Sequence, residues 1–208
     1  MKAAKLFKEL AKGTSVGPSP SFTEFDLAKT LEMVGKEKSI GRTRLSRELE
    51  LGQGATRTIL DHLERAGLIR VERSGCTLTS EGLKILKELG LIVKLGFEVP
   101  STVFAVAPYG SGALVSKAAH KVKRGLEQRD AAIRVGASCA VTLVYRDGKV
   151  LFPLGEEVES EDWPKVSNRI IEIFQPAEGD VIIIARGASP RLAETGARAA
   201  AWTLLESN

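Results

Sequence analysis

Apolar residues recur at helical spacing in two neighbouring segments of the first half of the chain. Leu45 and Leu49 stand four apart, Leu51 follows at a break, and Ile59, Leu60 and Leu63 repeat along the next segment. This is the spacing of one buried helix face. The stretch from Gly41 to Gly67 therefore predicts two short helices joined by a glycine-containing turn. A plain helical hairpin with a solvated charged face has the same periodicity, so the following residues decide. Leu68 to Arg73 reads as a strand, Ser74-Gly75 as a tight turn and Cys76 to Thr79 as a returning strand, which makes a β-hairpin. Helix, helix, strand, turn, strand is the order of a winged helix-turn-helix.

The same reading extends in both directions. Thr23 to Gly35 predicts a helix that buries Phe25, Leu27, Leu31 and Val34, and Ser80 to Leu89 predicts another with Leu83, Leu86 and Leu89 in phase. Residues 22–90 are thus expected to form one winged-helix domain. Before them, Met1 to Lys12 can form a basic helix, read as a solvated terminus or an accessory arm, and Gly13 to Ser21 breaks it. Residues 96–208 are expected to form a second, α/β domain. Its strands are placed at Val103–Ala107, Ala113–Ser116, Ala140–Tyr145, Val150–Pro153 and Asp180–Arg186, with Tyr109 to Gly112 as a turn and Asp147-Gly148 as a hairpin signal. Helices are placed at Arg124–Val135, Glu161–Phe174 and Ser189–Leu205. The expected fold class is α+β, a winged helix followed by a small sandwich with a mixed sheet and its helices on one side.

Charge sharpens this division. Residues 1–90 carry sixteen Lys and Arg against twelve Asp and Glu, a net +4, whereas residues 91–208 carry fourteen of each. A basic module beside a neutral one suits a polyanion partner for the first. On the second predicted helix Gln53, Arg57, Thr58, Asp61, His62 and Arg65 lie off the apolar stripe. In a helix-turn-helix this is the element that enters the major groove. Arg57, Gln53 and Thr58 are the expected base contacts, and Arg42, Arg44, Arg65 and Arg73 the expected phosphate contacts, with double-stranded DNA the partner.

Other chemistries find less support. Cys76 and Cys139 stand 63 residues apart in different predicted domains, and His62 and His120 are likewise separated, so neither a thiolate nor a histidine metal set is expected. No cofactor is expected. The longest apolar runs, such as Val181 to Ala185, are far too short to span a bilayer, and no apolar signal core follows the N-terminal lysines. A cytoplasmic location is expected.

In the second domain Leu126, Asp130 and Ile133 share one helical face, and Val122, Leu126, Arg129 and Ile133 an almost equivalent one. A charge beside an apolar stripe needs a partner. His120, Lys121, Glu127, Arg129 and Asp130 are therefore candidates for a small-molecule effector or for a subunit interface. Ser189-Pro190 reads as a helix start whose free N–H groups can hold an anion or need only the serine cap.

The stretch SIGRTRLSRELELGQGATRTILDHLERAGLIR, continuing through RSGCTLTSEG, resembles the N-terminal DNA-binding domain of regulators like the central glycolytic genes repressor, over about residues 22–90. AAHKVKRGLEQRDAAIRVGA followed by TLVYRDGKV is similar to the C-terminal domain of uncharacterised archaeal winged-helix proteins. The resemblance implies an archaeal transcriptional regulator. The large sugar-phosphate effector domain of the glycolytic repressor is missing, so that effector is not implied. The expectation is a homodimeric, non-enzymatic regulator whose second domain senses an effector or dimerises. The alternatives are a winged-helix adaptor for protein contacts, or an enzyme using Glu127 with Asp130 or His120 as acid and base.

Overall fold

The computed structural model describes residues 2–12, 21–37, 39–100, 103–104, 106–155 and 161–206. The chain divides into two compact units, Met1–Gly90 and Leu91–Asn208.

The first unit is built from α1 (Lys2–Ala11), α2 (Glu24–Lys36), α3 (Arg42–Glu48), α4 (Gln53–Arg65), β1 (Ile69–Glu72), β2 (Gly75–Leu78) and the start of α5 (Ser80–Ile92). Its centre is the set the periodicity selects: Leu27, Leu31, Leu45, Ile59 and Leu63 are fully buried. Asp26 closes the start of α2, its Oδ2 accepting the Thr23 N–H at 2.8 Å and the Thr23 hydroxyl at 2.9 Å, the reciprocal contact that stops a first turn from fraying. The turn between α3 and α4 takes its left-handed residue from Glu50 (φ 52°) rather than from a glycine. Ser46 Oγ holds that turn by donating to the Leu51 carbonyl at 2.6 Å, while Gly52 serves as N-cap of α4.

Two features of this unit differ from the sequence reading. The N-terminal helix is no solvated terminus: Ala3, Ala4 and Phe7 of α1 are fully buried, because these small and aromatic residues share one face while the lysines occupy another. Of the predicted break from Gly13 to Ser21, residues 13–20 lie outside the described residues. The hairpin turn is also shifted by one residue. Glu72 pairs with Gly75, so Arg73-Ser74 forms the turn and Gly75 belongs to the strand. Gly75 has φ +127°, and a Cβ there would lie 2.4 Å from Ser39 Oγ and 2.9 Å from the Ile40 carbonyl. Only glycine lets β2 approach Ile40 closely enough to exchange backbone hydrogen bonds between Ile40 and Cys76, at 3.2 and 2.8 Å.

The second unit carries β3 (Val93–Glu98), β4 (Tyr109–Val115), α6 (Leu126–Arg134), β5 (Cys139–Arg146), β6 (Lys149–Leu151), α7 (Trp163–Phe174), β7 (Val181–Gly187) and α8 (Pro190–Glu206). The five strands run in the order β3-β4-β7-β5-β6, and every pairing is antiparallel. The fold class is α+β, but the expected mixed sheet is replaced by an antiparallel one, and both of its faces are covered. One face, with Ala113, Val115, Ile183 and Ala185, packs on α8 and α6. On the other, Leu114, Leu143, Ile182 and Ile184 meet Ile170 and Phe174 of α7. Central β7 is buried along its whole length, as a continuous apolar run requires.

Three strand assignments are corrected. The described residues of Val103–Ala107, expected as a strand, form bends outside the sheet. Val93–Glu98, to which the sequence reading assigns no element, is edge strand β3, and a register shift at Gly96 obscures its alternation. Tyr109 to Gly112, expected as a turn, opens β4. Its glycines admit close neighbours: a Cβ on Gly112 would lie 2.3 Å from the Phe174 ring, and one on Gly110 would lie 2.6 Å from an Arg186 nitrogen.

Arg186, at the end of β7, has no exposed surface. Its Nε donates to the Val103 carbonyl at 3.1 Å and Nη1 to the Val99 carbonyl at 3.4 Å. Nη2 donates to the carbonyls of Pro100 and Val103. No described carboxylate pairs with it, and burial holds its pKa below the ordinary guanidinium value. The sequence pattern gives no signal for this charge, since Arg186 reads as the natural end of an apolar strand.

Candidate nucleic-acid interface

The exposed side of the first unit brings together three of the arginines selected from sequence. Arg42 opens α3, Arg57 stands on α4 and Arg73 sits in the β1–β2 turn; all three line one cleft of about 580 Å³. Its floor includes Leu60, Gly75 and Cys76. Three elements distant in sequence converge here because Ile40 ties the start of α3 to β2, while Glu64 of α4 ties itself to β1. Glu64 Oε1 accepts the Val71 N–H at 2.9 Å. That carboxylate also adds to the burial that raises the Cys76 thiol pKa.

Arg44, Gln53, Thr58 and Arg65 lie outside this cleft, although all four are exposed. Arg44 is held by Glu37 at 2.7 Å. An exposed pair of this kind is weak, and a phosphate can compete for it. Thr58 Oγ1 donates back to the Gly54 carbonyl at 3.1 Å. Gln53 and Arg57 stand four residues apart on α4 and share one polar face, with Thr58 exposed on the side next to it. His62, grouped with that face in the sequence reading, belongs to another. Its Nδ1 lies 2.8 Å from the Leu10 carbonyl and its ring meets Phe22 edge-on at 5.8 Å, so it anchors α1 to α4. Asp61 and Glu72 also line the cleft and leave it a mixed rather than a purely basic surface. Sequence spacing could not place Glu72 there, because its position depends on the one-residue shift of the turn.

In the second unit the selected residues disperse. His120 is exposed on a short turn, and Glu127 is exposed in the first turn of α6. Lys121 Nζ donates to the Leu204 carbonyl at 3.1 Å, where it satisfies the last turn of α8. Arg129 and Asp130 bind each other, Nη2 to Oδ1 at 2.9 Å, with about half of each side chain exposed (49% and 47%). A different cleft, of about 460 Å³, is lined by Phe97, Glu98, Tyr109, Pro190 and Glu194 among others, and by none of the five selected residues. Its residues come from β3, β4 and the start of α8, which are far apart in sequence. Ser189 caps that helix, its Oγ accepting the Leu192 N–H at 3.3 Å.

Among the described residues no helix is long and apolar enough to cross a membrane. No curated protein matches the chain. Among solved structures, it is similar to the hypothetical protein PH0730 from Pyrococcus horikoshii OT3, with 28% identity and a TM-score of 0.70 over 90% of this chain and 96% of the other. Residues 28–93 match the family model described as the CggR N-terminal DNA binding domain, and residues 106–204 match that of a domain of unknown function, DUF4443. The first unit is thus similar to the CggR N-terminal DNA binding domain, and the second to a domain of unknown function.

Proposed function

We propose that this protein is a cytoplasmic, non-enzymatic transcriptional regulator that binds double-stranded DNA as a homodimer and responds to a small molecule through its second unit. The convergence of Arg42, Arg57 and Arg73 on one cleft beside the exposed face of α4 carries this reading. With α4 in a major groove, Gln53, Arg57 and Thr58 face base edges. Arg42 and Arg73 then flank the groove, on the first helix and the wing, where the phosphates of the backbone pass. Arg44 and Arg65 add backbone contacts. A twofold dimer places two such helices one helical turn of DNA apart.

The effector part of the proposal draws on the 460 Å³ cleft of the second unit, whose size is in the range that small ligands fill. A ligand there binds against β3, β4 and α8. Saturating metabolites in a thermal-shift screen should raise the melting temperature of the second unit, and a complete absence of shifts would remove the effector from the account.

The DNA part is tested by Arg57→Ala. A base-reading arginine contributes about 1–3 kcal/mol of discrimination, so affinity for the specific site should fall about 5- to 150-fold while binding to an unrelated duplex changes little. Equal losses on both duplexes would assign Arg57 to the phosphate backbone, and no loss on either would place the interface elsewhere.

A further inference from the structure

Helix α6 is turned against its own amphipathicity. Its buried side holds Gln128 (3% exposed) and Ala132, while Leu126 and Ile133 are 46% and 48% exposed. The inward glutamine is not an ideal core residue. Its Nε2 donates to Thr203 Oγ1 of α8 at 2.7 Å, but its Oε1 has no partner. A helix that buries an amide and exposes leucine and isoleucine has a second surface to cover.

The order of residues on the outward side identifies the cover. Leu126, Arg129, Asp130 and Ile133 follow at i, i+3, i+4 and i+7, one continuous stripe on a helix. The stripe is symmetric about the midpoint between Arg129 and Asp130: an apolar residue stands at each end, and charges of opposite sign flank the centre. A second α6 laid antiparallel across that midpoint sets Leu126 against the partner's Ile133 and Arg129 against the partner's Asp130. Each contact occurs twice, as a twofold axis demands. The Arg129–Asp130 pair within one chain, at 2.9 Å, then exchanges for two pairs across the axis. A partner of unrelated sequence has no reason to match both the apolar ends and the charge order, whereas a second copy of this chain matches both by construction.

We infer that the outward face of α6 is the homodimer surface of this protein, joined by antiparallel pairing of Leu126, Arg129, Asp130 and Ile133 about a twofold axis. The inference rests on the dimeric part of the proposed function and adds the surface that performs it. It also explains why charged residues occupy the centre of an apolar stripe, since they fix one register and one direction of pairing.

Sedimentation equilibrium of the full chain, without DNA, tests the surface through two single variants and one charge exchange. Arg129→Asp sets like charges against each other across the axis, and Ile133→Glu sets a charge against leucine. Each should weaken dimerisation about 100-fold or more. Because both side chains are half exposed, the melting temperature measured at low, monomeric concentration should not change. The double variant Arg129→Asp/Asp130→Arg should restore the dimer, because it reverses both partners together. Three results would overturn the assignment: single variants as dimeric as the wild type, a charge exchange that fails to restore association, or a wild type that is monomeric throughout. The first two leave the dimeric reading standing and move its surface, whereas the third removes the dimer itself.

Discussion

Replacing Arg186 by methionine sets two large effects against each other. The guanidinium is fully buried and donates to the carbonyls of Val99, Pro100 and Val103 without a described carboxylate partner. Arg186→Met relieves the cost of burying that charge, which is the cause that lowers its pKa. It also leaves two carbonyls without a donor, those of the enclosed Val99 (5% exposed) and Val103 (1%), whereas the Pro100 carbonyl keeps the Val103 N–H at 3.0 Å. An orphaned buried carbonyl costs about 1–3 kcal/mol, so two cost roughly 2–6 kcal/mol before the loop relaxes. Relief of guanidinium desolvation offsets part of this, and a net loss of about 2 kcal/mol is expected here. Both tryptophans, Trp163 and Trp202, lie in the second unit, so urea unfolding followed by tryptophan fluorescence reads the affected unit alone. The midpoint should fall with the slope unchanged. A variant as stable as the wild type, or more stable, would show that guanidinium desolvation outweighs the carbonyl contacts and would refute this account of the strand end.

Gly75→Ala combines a left-handed backbone with a Cβ placed 2.4 Å from Ser39 Oγ. It should cost the first unit about 1–3 kcal/mol in thermal unfolding and weaken DNA binding by displacing Arg73; unchanged values of both would contradict the close approach. Phe7→Ala empties a fully buried site between α1 and its neighbours and should destabilise the first unit by about 3–5 kcal/mol in a far-ultraviolet melt. A negligible effect would show that α1 is not docked. Burial raises the thiol pKa of both Cys76 and Cys139 above the ordinary value of 9.0. The folded chain then keeps protons that the unfolded chain releases, so stability is full below that value and falls as pH rises through it. The double variant Cys76→Ala/Cys139→Ala should flatten that decline in melts above pH 9.0, whereas an unchanged slope would remove the thiols as its cause.

What the sequence disclosed, and what it hid, follows from how local each signal is. The α3–α4 core was legible because Leu45, Ile59 and Leu63 keep helical spacing and are fully buried. Arg42, Arg57 and Arg73 could be named one by one, but their meeting around a single cleft depends on Ile40 and Glu64 tying three elements together. Strand β3 was hidden by the irregularity at Gly96, and the opening of β4 was misread because Gly110 and Gly112 look like a turn. Their purpose is set by Arg186 and Phe174, which are more than sixty residues away in sequence. The orientation of α6 was missed for the opposite reason. Periodicity points Leu126 and Ile133 inward, yet a close contact with the alanine-rich α8 favours small Ala132 on the inner side. A hydrophobic stripe marks a face that will be covered, without saying by which chain.

The most direct test of the account is the affinity of the full-length protein for the DNA upstream of its own coding sequence, compared with an unrelated duplex at two salt concentrations. Tight binding to the first duplex, with log K falling by about 0.9 per phosphate contacted as log salt rises and losing that dependence partly in the Arg42→Ala/Arg73→Ala variant, is the predicted result. Equal and weak binding to both duplexes, unaffected by loss of those arginines, would contradict the claim that the Arg42, Arg57 and Arg73 cleft is a DNA interface.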